Sequence, residues 1–202
     1  MNDHSFIIDS MRTLDLAKRA AICDSAVRLI NRLGFHGVSI AKIAKDAGVS
    51  PASIYIYFED KTDMLQQIYL NLKEEMVGFV MAELNPDDDY VAKFRHLFLR
   101  QWDYFLQNTE SFAFIEQFAN SPLLTEACAT AGSAHYAPLR DLVIQAQQDG
   151  VIRPMTTAVF NALVFSPLLT LAKQHANRGQ TVEVQELEQV FDMIWTGLQN
   201  PK

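Results

Sequence analysis

Residues 39–65, SIAKIAKDAGVSPASIYIYFEDKTDML, constrain the fold more tightly than any other stretch of the chain. Ile40, Ile43 and Ala44 form an apolar stripe at helical spacing, and Gly48 follows where a helix would stop. Ser50-Pro51 restarts a helix, with a hydroxyl cap and a proline at the first helical position. Ile54 and Phe58 give that second helix a buried side, and Lys61 opens a third helix behind the capping acid Asp60. Two short helices joined by a tight turn predict a helix–turn–helix, whose second helix is shaped to enter a DNA major groove.

The formal net charge of −7 runs against nucleic-acid binding until it is divided along the chain. Residues 11–61 hold eight Lys or Arg against five Asp or Glu, whereas residues 62–202 hold nine against seventeen. A small basic head on a larger acidic body suits a head that meets phosphates and a body with another task. An apolar content of 49% over 202 residues supports a buried core. The apolar runs fall short of the ~20 residues that span a bilayer. The N-terminal MNDHSFIIDSMR lacks the basic start and apolar stretch of a secretory signal, so a cytoplasmic protein without a membrane partner is expected. Cys23 and Cys128 lack metal-ligand spacing and read as reduced thiols.

Spacings of three and four recur along the chain and strand-like alternation is absent, so the expected fold is all-α. A first helix is predicted from about Leu14 to Leu33, with Ile22, Ala26, Leu29, Ile30 and Leu33 on one face and Gly34 as its stop. A long helix from Lys61 carries Leu65, Ile68, Leu72, Met76 and Phe79/Val80. Asn85-Pro86 and the acids Asp87, Asp88 and Asp89 break the chain and favour the positive end of the next helix. That helix carries Phe94, Leu97, Phe98, Trp102 and Phe105, and an aromatic segment with Phe112, Phe114, Ile115 and Phe118 follows. Gly132 and Pro138 kink or split the 123–149 segment, Pro167 interrupts a helix over 156–178, and a broad apolar stripe marks the last helix, 182–198. The expected organisation is a helix-turn-helix DNA-binding domain over 12–60 and a larger helical domain over 61–202.

A helix ending in Gly34-Phe35, followed by Ser39, Ile43-Ala44, Ala47-Gly48-Val49-Ser50, Ile54-Tyr55, Tyr57-Phe58, Lys61 and Leu65, resembles the N-terminal domain of the TetR family of transcriptional regulators. The resemblance covers about residues 14–66, and the remaining two thirds match only in being helical. Ala44 and Gly48 are small enough for two helices to meet at a steep angle. Ser39 is placed to cap the first helix and face a phosphate, and Lys42 and Lys45 add positive field. Ser50, Pro51, Ala52 and Ser53 lie where such motifs reach base edges; Ser53 suits a hydrogen bond, and Pro51 and Ala52 suit a thymine methyl. Tyr55, Tyr57 and Lys61 fit phosphate contacts. The recognition helix has no Arg, Lys, Asn or Gln, so shape and apolar contact carry much of the expected specificity.

The resemblance implies a small-molecule pocket and a dimer interface in the acidic body. The candidate pocket residues are Phe94, Phe98, Gln101, Trp102, Phe105, Phe112, Phe118, His135, Tyr136 and Phe160, an inventory suited to an apolar or aromatic effector. The candidate interface comprises Leu168, Leu187, Val190, Phe191, Ile194 and Trp195, although the same stripe is equally suited to packing inward on its own chain. A palindromic operator on double-stranded DNA needs a two-fold symmetric reader, which argues for a homodimer. The function implied is a ligand-responsive repressor. The alternative is a small-molecule- or partner-binding helical module on the same fold that does not bind an operator. No catalytic site, cofactor or metal is expected: His4, His36, His96, His135 and His175 have no partner at ligand spacing, and Gly132-Ser133 lacks the context of a nucleophile elbow.

Overall fold

Gly34 sets the geometry of the first helix. The computed structural model describes residues 3–178 and 181–200. Helix α1 spans Asp3–Gly37, starting well before Leu14, and its helical path is broken at Gly34, where φ is 69° and ψ is 170°. That combination is open essentially to glycine alone. Ile22, Ala26, Leu29 and Ile30 are buried along α1 as their spacing predicts. Leu33 is 44% exposed instead, because the chain turns immediately after it and Val38 is buried in its stead.

Two short helices follow, α2 (Ile40–Asp46) and α3 (Pro51–Ile54). Ser39 Oγ accepts from the Lys42 amide at 3.3 Å, and Ser50 Oγ accepts from the Ser53 amide at 3.2 Å, so both hydroxyls cap as expected. Between them Gly48 takes φ 69°. Its amide donates to Lys45 O and the Val49 amide donates to Ala44 O, the paired bonds that close a helix on a left-handed residue. Ile43, Ala44 and Ile54 are fully buried and Phe58 nearly so, making the small core on which α2 and α3 meet. Arg28 of α1 is paired with Asp46 at the end of α2 across 2.6 Å.

Helix α4 spans Lys61–Met81. Asp60 accepts from the Asp63 amide at 2.8 Å, and Asp63 accepts from the Glu59 amide at 2.9 Å, so the acids beside Lys61 are used on the helix start. Helix α5 (Tyr90–Gln107) is capped by Asp89, and α6 spans Thr109–Ala119. The 123–149 segment is split, not kinked, into α7 (Glu126–Ala134) and α8 (Ala137–Gln148), with Pro138 in the first turn of α8, where its missing amide hydrogen has no helical partner to lose. Helix α9 (Thr157–Arg178) instead runs through Pro167, and α10 spans Val184–Leu198. Among the described residues the sole β-type pairing is an isolated bridge between Ile152 and Gln199. No helix among them is long and apolar enough to cross a membrane.

The chain packs as two compact units, one combining Met1–Leu72 with Glu110–Ala129 and the other Lys73–Thr109 with Thr130–Lys202. In the first, Phe114 and Phe118 of α6 stack on each other at 5.9 Å, and both meet the Phe35 ring edge-on. In the second, α5 is central: Phe94, Leu97, Phe98, Trp102 and Phe105 are buried, and α9 and α10 pack against it. Arg95 fixes the α5–α10 contact, pairing with Glu188 and, at 2.8 Å, with Asp192, while its guanidinium lies 4.5 Å from the Phe191 ring centre.

Two stability measurements follow from these features. A Cβ added at Gly34 meets nothing within 4 Å, so Gly34→Ala carries backbone strain alone; urea denaturation should show a loss of about 1–3 kcal/mol with an unchanged slope. The Arg28 guanidinium, followed by a hydrogen bond from Ser25, holds the Asp46 carboxyl below its ordinary value of 3.8. A carboxyl lowered in the folded state stabilises fully above that ordinary value and loses its contribution as pH falls through the folded one. Asp46→Asn should therefore be less stable than wild type at neutral pH, the two curves converging on the acid side; a gap independent of pH would exclude the linkage.

Candidate nucleic-acid interface

The face opposite the α2–α3 core is where the first unit is open. Ser39, Lys42, Lys45, Ser50, Pro51, Ala52 and Tyr55 are all exposed, and Ser53 is half-buried. Tyr55, at 57% exposure, carries its ring outward on the turn that follows α3. The Ser50 and Ser53 hydroxyls lie 2.8 Å apart and bond to each other, which ties them to the α3 cap and leaves limited donor capacity for a base edge. Lys42 donates to Gly37 O at 2.6 Å from an exposed position, a bond that an incoming phosphate can replace.

Two predicted phosphate contacts are committed elsewhere. The Tyr57 hydroxyl donates to Asp15 at 2.5 Å, and that carboxylate, with some burial, pushes the phenol pKa upward. Lys61 turns inward: its ammonium donates to Phe35 O at 2.6 Å and to Val38 O at 2.5 Å, and burial pulls its pKa down. Phe35 O lies in the last turn of α1 and Val38 O just beyond its end at Gly37, where carbonyls have no helical donor, and the first residue of α4 supplies the charge that satisfies both. Sequence reasoning missed Ile56, which is 75% exposed on the same open face. The signal was available, since Ile56 lies four residues after Ala52 and half a helical turn from both Ile54 and Phe58.

The ten candidate pocket residues do not form one site. Phe94, Phe98 and Phe160 converge, with Leu97, Leu139, Val164, Phe191, Ile194 and Trp195 among their neighbours, around an apolar cavity of about 20 Å³, room for roughly one water. Gln101, Trp102 and Phe105 are buried on α5 but do not line it. Trp102 instead meets His175 edge-on at 5.9 Å. His135 and Tyr136 are half-buried in the link between α7 and α8, where Lys73 lies 4.7 Å from the Tyr136 ring centre. Phe112 and Phe118 belong to the other compact unit, where Phe118 packs among Phe35, Tyr69 and Phe114. That unit has a roomier cavity of about 180 Å³, lined by Phe35, His36, Lys61, Thr62, Leu65, Ser121, Pro122 and Leu123.

The candidate interface residues divide by exposure. Leu168, Leu187, Phe191 and Trp195 are buried within their own chain and have almost no surface left to give a partner. Val190 and Ile194 are half-buried on the flank of the same stripe. The apolar side chains that α9 and α10 leave exposed are Val159, Leu163, Val184 and Met193. Three buried donors in this unit, Arg100 Nε, Gln101 Nε2 and Trp195 Nε1, find no acceptor among the described residues.

Comparison with known proteins bears on both parts of the chain. The family model for bacterial regulatory proteins of the tetR family matches residues 22–68, and that for the tetracyclin repressor-like C-terminal domain matches residues 90–199. An uncharacterized HTH-type transcriptional regulator of Haemophilus influenzae is 26% identical over 190 residues, covering 92% of this chain and 96% of that one. A fatty acid metabolism regulator protein of Bacillus subtilis is 41% identical over 63 residues, 31% of each chain. The crystal structure of a TetR family transcription regulator from Marinobacter aquaeolei is similar with a TM-score of 0.88 at 26% identity, covering 94% of this chain and all of that one.

The inward Lys61 makes a structural prediction separable from any nucleic acid. Lys61→Met strands two carbonyls that water partly reaches, so urea denaturation of the protein alone should show a loss of about 1 kcal/mol, the low end for stranded polar groups. An unchanged midpoint would mean that the ammonium has no structural part.

Proposed function

The chain belongs to the TetR family of helix–turn–helix transcriptional regulators, and from that premise we propose a homodimeric repressor that binds a palindromic operator and is released by a small apolar or aromatic effector. The observation that carries the DNA half of this reading is the open face from Ser39 to Ile56, supported from behind by a fully buried Ile43, Ala44 and Ile54. Lys42 and Lys45 supply the field, Tyr55 a hydroxyl for the backbone, and the start of α3 the reach toward base edges. In the DNA-competent dimer the two heads sit ~34–36 Å apart, or a multiple of that helical repeat.

The effector half rests on the acidic body. Its aromatic core and the buried donors Arg100 Nε, Gln101 Nε2 and Trp195 Nε1 favour a ligand that is mostly apolar and carries an acceptor or two. A cavity of about 20 Å³ must enlarge to admit it, so binding and rearrangement are one event. The effector drives release only if it prefers the arrangement that does not fit DNA. The flank bearing Val159, Leu163, Val190 and Met193 is the surface we assign to self-association.

Selection of bound fragments from genomic DNA with the purified full chain, followed by titration across salt, tests the reading. Affinity should fall steeply with salt, and removing Lys42 or Lys45 should reduce the log–log slope by about 1 per lysine lost, hence about 2 for a dimer, across all sequences alike. Absence of any retained fragment, or a flat salt response, would favour the helical module without operator binding.

A further inference from the structure

Among the large hydrophobic side chains described, Ile56 is the most exposed, and it projects from the element that the operator reading sends into DNA. We propose that Ile56, with Ala52, reads the C5-methyl group of thymine in the major groove and sets the operator's sequence preference. The proposal rests on operator binding and adds to it the residue that chooses the base.

The geometry begins with the turn after α3. The Ile56 amide donates to Ser53 O at 3.4 Å, and the Tyr57 and Phe58 amides donate to Ile54 O at 3.0 and 3.1 Å, so the chain keeps a helical course to Phe58. Residues four apart on such a course share a face. Ile54 and Phe58 form the buried face; Ala52, two residues before Ile54, and Ile56, two residues from both, form the outward one. Pro51 and Tyr55 are exposed beside them. The result is an apolar ridge on the outer surface of an otherwise satisfied helix.

Chemistry then selects the target. From Ser50 to Phe58 there is no Arg, Lys, Asn or Gln, the side chains that pair bidentately with guanine or adenine. The Ser50 and Ser53 hydroxyls bond to each other, and the Tyr57 hydroxyl is held by Asp15. Beside the Tyr55 hydroxyl and the limited capacity of the serine pair, the outward face offers mainly aliphatic carbon, and the major-groove feature that aliphatic carbon distinguishes is the thymine methyl. A β-branched side chain suits the task, because its χ1 is already restricted before contact.

The test uses a duplex recovered by the wild-type chain, remade with each thymine replaced singly by deoxyuridine, which removes the methyl and leaves pairing and every hydrogen-bonding group in place. At one thymine position per half-site, affinity should drop about tenfold, the low end for one methyl in an apolar contact. Ile56→Ala should lower affinity for the thymine duplex by a similar factor and leave affinity for that uracil duplex nearly unchanged, whereas Ile56→Val should retain the preference. Ile56 is exposed, so its variants should keep wild-type thermal unfolding. Wild-type binding indifferent to every uracil, or uracil and Ile56→Ala effects that multiply independently, overturns the assignment while operator binding stands. Failure to recover any duplex removes operator binding itself and this assignment with it.

Discussion

A helix as short as α3 cannot hold its own shape in water; four residues are far below the length at which a helix is stable alone. It exists because α3 packs on α2, where Ile43, Ala44 and Ile54 are buried, and because Ser50 caps its start. Every property of the open face descends from that contact. The small side chain of Ala44 and the left-handed Gly48 let α2 and α3 close steeply, and this closure turns Ala52, Tyr55 and Ile56 away from the protein. Larger residues at the junction would separate the helices and leave α3 without a support.

The same economy explains where the charges of the head go. Of the residues suited by type to phosphate, Tyr57 and Lys61 spend their polar atoms inside the first unit, on Asp15 and on the carbonyls of Phe35 and Val38. The carboxylates of Asp60 and Asp63 are used on the start of α4, accepting from the Asp63 and Glu59 amides. The positive field left on the open face is modest, consistent with a head in which the excess of basic over acidic residues is small. Affinity then depends on apolar contact and shape more than on many phosphate bonds.

The second unit shows a different balance. Its aromatic residues were equally suited by composition to line a pocket or to fill a core, and most fill the core: Phe94 packs on Phe160 and Trp195, and Phe98 on Phe191. The stripe on α10 that offered itself for self-association is largely consumed by the same packing, with Arg95 holding α5 and α10 in register. Three buried donors without acceptors among the described residues mark where that core is incompletely satisfied.

Local chemistry was legible in the chain itself. The caps at Ser39, Ser50, Asp60 and Asp89, the stops at Gly34 and Gly48, and the buried stripes of α1, α2, α4 and α5 follow from short-range rules of spacing and hydrogen bonding, so they are readable wherever those residues occur in order. Four outcomes belonged to the tertiary structure: the inward turn of Lys61, the capture of Tyr57 by Asp15, the placing of Phe118 among Phe35, Tyr69 and Phe114, and the burial of Leu187, Phe191 and Trp195. Each of these depends on partners tens of residues distant. A sequence states what a side chain is able to do; only the packing of remote segments decides which partners it meets, because a surface or a donor already used inside the fold is not available to another partner.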